Sequence, residues 1–68
     1  MAITLKAARV NAQLTQVEAA KQLGIAVDTL RQYEAGRTFP DVPLIQKIER
    51  LYNVSYNDIN FLLPIENG

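Results

Sequence analysis

The sequence predicts an all-α chain folded as one small domain, and three observations carry that expectation. Apolar residues recur at spacings of three and four, as in Leu44, Ile45, Ile48, Leu51 and Tyr52, and no stretch reads as a strand. Thr15 with Glu18, and Ser55 with Asp58, have the spacing at which a hydroxyl and a carboxylate reciprocally satisfy the orphan N–H groups of a helix start. Gly24 and Gly36 each follow a helical pattern and can take the φ > 0 conformation of a sharp helix end.

Five helices are expected in order. The first runs from just after Thr4 to about Ala12, with Leu5, Ala8 and Ala12 on one face. The second starts at the Thr15 cap and ends at Leu23, before Gly24. The third covers roughly Val27 to Ala35 and stops at Gly36. Arg37 to Asp41 reads as a loop, because Pro40 disfavours helix at the residue before it and Asp41 suits the cap of the next helix. The fourth helix runs from about Val42 to Tyr52, with Pro43 tolerated in its first turn. The fifth begins at the Ser55 and Asp58 pair and ends before Pro64, leaving residues 64–68 as a tail. The 68 residues hold no repeat, low-complexity segment or second domain, and a chain of that size buries only about 60% of its unfolded surface.

Composition narrows the chemistry. With no cysteine and no histidine, disulfides, thiolate or imidazole metal ligands and histidine-based nucleophilic catalysis are all removed, so no catalytic residue and no metal site is expected. No apolar run approaches the roughly 18 residues of a membrane span, and the start Met-Ala-Ile-Thr-Leu-Lys lacks the pattern of a signal peptide; the chain reads as cytoplasmic, with no membrane partner. Net charge is zero but polarised. Residues 1–39 carry Lys6, Arg9, Lys21, Arg31 and Arg37 against Glu18, Asp28 and Glu34, whereas residues 40–68 carry Lys47 and Arg50 against Asp41, Glu49, Asp58 and Glu66. The first part can present a modestly basic face to phosphates, with a weak non-specific affinity lost early as salt rises.

Residues 16–36 have the spacing of a helix-turn-helix. Two short helices crossing steeply need a small side chain at their closest approach, and Ala20 stands there, four residues before Gly24. Ala19, Leu23, Ile25, Leu30 and Tyr33 then fall where these helices face each other and a third. Together with Arg9, Leu14-Thr15-Gln16, Glu34, Gly36, Pro40 and Val54-Ser55, these residues make the chain resemble the XRE family, the small phage repressor and Cro type of helix-turn-helix protein, over about residues 4–63.

That resemblance implies a compact five-helix, lambda repressor-like domain with its helix-turn-helix at about 15–35. It also implies a sequence-specific transcriptional regulator, Cro-like or repressor-like, that binds a pseudo-palindromic double-stranded DNA operator without cofactor or small-molecule ligand. By position, Val27, Asp28, Arg31 and Gln32 on the third helix become the base-contacting residues. Their chemistry suits guanine for Arg31, adenine for Gln32, a thymine methyl for Val27 and cytosine N4 for Asp28. Thr15, Gln16, Arg37 and Thr38 match positions that contact the DNA backbone, and Arg9 with Glu34 matches a structural pair tying the first helix to the end of the third. Two positions depart from the family pattern: Ala26 occupies the usual Ser or Thr cap of the third helix, and Ala19 stands where relatives often carry leucine.

Reading an operator with one short helix implies a homodimer, at least on DNA. The apolar end Ile59-Asn60-Phe61-Leu62-Leu63-Pro64-Ile65 offers two readings: part of it is the dimer contact, or Ile59 and Leu62 are core and the rest is tail. The alternative function is a protein-binding module on the same fold, antirepressor-like or antitoxin-like, which the neutral charge and Asp28 favour.

Overall fold

A computed structural model describes residues 2–61. The elements are β1 (Ile3–Thr4), α1 (Leu5–Asn11), α2 (Gln16–Leu23), α3 (Val27–Glu34), α4 (Val42–Tyr52), a 3-10 turn at Tyr56–Asp58 and β2 (Ile59–Asn60). Among the described residues, three of the four α-helices start on a side-chain cap. Thr4, Thr15 and Asp41 each accept a hydrogen bond from the backbone N–H three residues on, and at Thr15 the Glu18 carboxylate returns the bond, completing the box. The fourth, α3, starts at Ala26 with no side-chain bond. Alanine at that position typically costs about 1 kcal/mol relative to a capping residue.

All four helices end alike. Gln13, Gly24, Gly36 and Asn53 take positive φ, of 63°, 75°, 75° and 54°. In each case the next residue donates its N–H back to a carbonyl five positions earlier: Leu14 to Arg9, Ile25 to Ala20, Arg37 to Gln32 and Val54 to Glu49. This closure uses carbonyls that a helix end otherwise leaves unpaired. At Gly24 a Cβ would meet nothing within 4 Å, so the backbone angle alone asks for glycine there.

The core forms where α2, α3 and α4 meet. Leu30 and Ile48 are its largest fully enclosed side chains, and Ala19 and Ala20 let the α2 backbone approach closely. Ala19 is fully enclosed, and Tyr52 from α4 is buried in the same cluster. From α1, Leu5 and Ala8 join the same cluster.

Two expectations are corrected. The fifth helix is absent among the described residues: Ser55 does cap, but its hydroxyl accepts from Asn57, and Asp58 N–H donates to the Ser55 carbonyl, which closes one 3-10 turn. The Tyr56 N–H goes to the Glu49 carboxylate instead. Beyond that turn the backbone is extended at Ile59, with φ −110° and ψ 129°. That extended piece corrects the expectation of no strand. Ile59 and Asn60 pair in parallel with Ile3 and Thr4. Ile59 and Phe61 are consequently buried on one side while Asn60 is exposed on the other. Phe61 therefore belongs to the core, and the remainder of the apolar end, Leu62 to Ile65, lies outside the described residues.

Candidate nucleic-acid interface

The turn after Leu23 fixes how α3 is presented. Ile25 N–H bonds the Ala20 carbonyl, Leu30 is fully enclosed, and the side of α3 opposite Leu30 is left outward. On that helix Asp28 and Arg31 are exposed, Gln32 is half-buried, and Val27 is half-buried with its side chain against the core. Asp28 and Arg31 are bonded to each other: Arg31 Nη1 donates to Asp28 Oδ1 at 2.8 Å, with both side chains well exposed. Their i,i+3 spacing on one helix is the signal that could have revealed the pairing from sequence.

At the far end of α3 a second ion pair is enclosed. Arg9 Nε donates to Glu34 Oε2 at 2.7 Å and Nη2 to Oε1 at 3.3 Å, while Nη1 donates to the Leu14 carbonyl at 2.8 Å. Gln16 Nε2 adds a bond to Glu34 Oε1 at 2.9 Å. The Glu34 carboxylate thus ties α1, the start of α2 and the end of α3 together. Gln16 spends one of its two amide protons on Glu34, so its other proton remains available to a phosphate oxygen. Thr15 accepts one bond as the α2 cap, and its exposed hydroxyl still has a proton to donate. Arg37 and Thr38 come after Gly36 and are exposed.

Tyr52 lies close enough to this pair to feel it. Burial, the Glu34 charge and, in the opposite sense, the Arg9 charge together push its phenol up to about 12, burial being the largest cause. Its hydroxyl is buried without a hydrogen-bond partner among the described residues. The exposed aromatic rings of Phe39 and Tyr56 flank Phe61, edge-on at 5.3 Å and stacked at 5.5 Å. Sequence reasoning missed that grouping, because the three rings come from separate segments with no periodic relation. Among the described residues no helix is long and apolar enough to cross a membrane, and no cluster of His, Cys, Asp and Glu could hold a metal ion.

A helix-turn-helix family model matches residues 5–59. Among curated proteins, the HTH-type transcriptional regulator ImmR of Bacillus subtilis (strain 168) is 45% identical over 51 residues, covering 75% of this chain and 40% of the regulator. The antitoxin PezA of Streptococcus pneumoniae serotype 4 is 37% identical over 67 residues, covering 93% of this chain and 42% of the antitoxin. The chain thus spans less than half the length of either relative. No solved structure matches it significantly.

Proposed function

The chain belongs to the helix-turn-helix family of XRE type, and from that premise we propose that it is a DNA-binding transcriptional regulator that reads a pseudo-palindromic operator as a homodimer. The observation that carries this reading is the outward side of α3, where Arg31 and Gln32 stand in the second turn of the helix without a packing role as large as that of Leu30. In the major groove Arg31 reads guanine and Gln32 adenine, while Val27, already half-buried, meets a thymine methyl at the groove edge. Thr15, Gln16, Arg37 and Thr38 bond phosphates on either side of that helix. Similarity to a transcriptional regulator supports the same reading.

Selection from random oligonucleotides tests it. Two half-sites about one helical turn, roughly 34 Å, apart are expected. Arg31→Ala and Gln32→Ala should each cost about 1–3 kcal/mol and relax preference at a few base pairs, whereas Arg37→Ala should weaken all sequences alike. With so few cations the plot of log affinity against log salt should be shallow, on the order of three to five phosphates per dimer.

A second reading, a protein-binding module, is favoured by the similarity to an antitoxin and by the zero net charge. No enriched palindrome at low salt, together with α3 variants that abolish binding to a protein partner, would decide for it.

A further inference from the structure

The carboxylate of Asp28 stands beside the phosphates if α3 enters a groove, where a bare negative charge is repelled. It is not bare. Its Oδ1 accepts from Nη1 of Arg31, the only arginine of α3, at 2.8 Å. A guanidinium has five N–H donors in a fixed fork, and a two-bond contact with guanine O6 and N7 needs two adjacent ones. Holding Arg31 by a single Nη1 proton leaves the edge made by Nε and Nη2 with no partner among the described residues. We infer that Asp28 is a positioning residue: it holds the Arg31 guanidinium so that the Nε–Nη2 edge is offered to a guanine, and it does not read a base itself. This rests on the DNA-binding reading above, and it replaces the expectation that Asp28 accepts from cytosine.

The chemistry has two consequences. An exposed arginine is free to sample many rotamers, and fixing it beforehand reduces what binding must take away. The pair is also electrically neutral as a unit, so Arg31 adds little attraction toward DNA of the wrong sequence, and Asp28 sharpens the contrast between operator and bulk DNA. A merely structural role is available too, since Asp28 lies in the first turn of a helix whose start, Ala26, lacks a side-chain bond. That role predicts a loss of thermal stability and no change in base preference.

The test is selection on random double-stranded oligonucleotides with the wild-type chain, Asp28→Asn, Asp28→Ala, Arg31→Ala and the double variant Asp28→Ala/Arg31→Ala, with thermal melts of each. Arg31→Ala should lose preference at one base pair of each half-site. Both Asp28 variants should lose about two- to fivefold of the preference at that same pair, the range of an exposed ion pair. The double variant should be no less selective there than Arg31→Ala alone, and binding to a scrambled duplex should rise in the Asp28 variants. A change at a different base pair would make Asp28 a direct reader and overturn the inference. An unchanged profile, or an Arg31→Ala variant that loses no preference, would overturn it as well. A wild-type chain that enriches no sequence would instead sink the DNA-binding reading, and this inference with it.

Discussion

The helix α3 carries one carboxylate–guanidinium pair at each end, and the two are nearly identical in length: 2.7 Å for Arg9–Glu34 and 2.8 Å for Arg31–Asp28. Their surroundings differ. The side chains of the first pair are 9% and 5% exposed, those of the second 56% and 75%. The enclosed pair bridges separate helices, and it makes two further bonds, Arg9 donating to the Leu14 carbonyl and Glu34 accepting from Gln16. The exposed pair joins two residues of a single helix and leaves its other polar sites open to solvent. Distance therefore says little about energy here. What a pair does is set by what is left when one partner is removed: a stranded charge inside the domain, or a solvated side chain on its surface.

The largest expected effect breaks the enclosed pair. Glu34→Ala and Arg9→Ala should each destabilise by about 3–5 kcal/mol in urea unfolding, while the double variant costs less than the sum. Strictly additive losses would deny the pair its coupling. The exposed pair should behave in the opposite way: Arg31→Ala is expected to leave the unfolding midpoint nearly unmoved, within about 0.5 kcal/mol, although it weakens operator binding by about 1–3 kcal/mol.

Tyr52 sharpens the contrast from inside. Removing an unpartnered buried hydroxyl is nearly neutral or favourable, so Tyr52→Phe should keep or gain stability, by up to about 1 kcal/mol. It should also change the alkaline limb. A phenol raised from 10.0 to about 12 in the folded chain leaves stability unaffected below pH 10 and lowers it as pH rises from 10 toward 12, because the unfolded chain releases its proton first. Unfolding measured between about pH 9 and 12 should accordingly fall less steeply in Tyr52→Phe; identical limbs would deny the phenol that role. The smallest effect is salt. In a double-mutant cycle, the coupling of Asp28 and Arg31, about 0.2–1 kcal/mol at low ionic strength, should vanish near 1 M salt. That of Arg9 and Glu34 should largely persist.

These two pairs also mark how much of the molecule is legible in its sequence. Asp28 and Arg31 are three residues apart on one helix, so their contact is implied by helical spacing alone, yet reading them by position assigns each a separate base. Arg9 and Glu34 lie in different helices, and no spacing brings them together; only resemblance to a family suggests the pair. Starts and stops are readable because they are local: Thr15 with Glu18, Asp41, Gly24 and Gly36 each act within five residues. The fifth helix fails for the same reason. Ser55 supplies a start signal, but whether a helix continues is decided by long-range pairing of Ile59 with Ile3, which no local rule contains. A trace is present in Ile59-Asn60-Phe61, whose alternation of apolar and polar residues is the period of a strand.

That short pairing has a mechanical consequence. β1 and β2 run parallel and come from opposite ends of the described chain, so a force applied through residues 2 and 61 draws the two strands past each other along their length. The bonds between them are then loaded together rather than opened one at a time, and the helices they enclose feel no tension until this clasp slips.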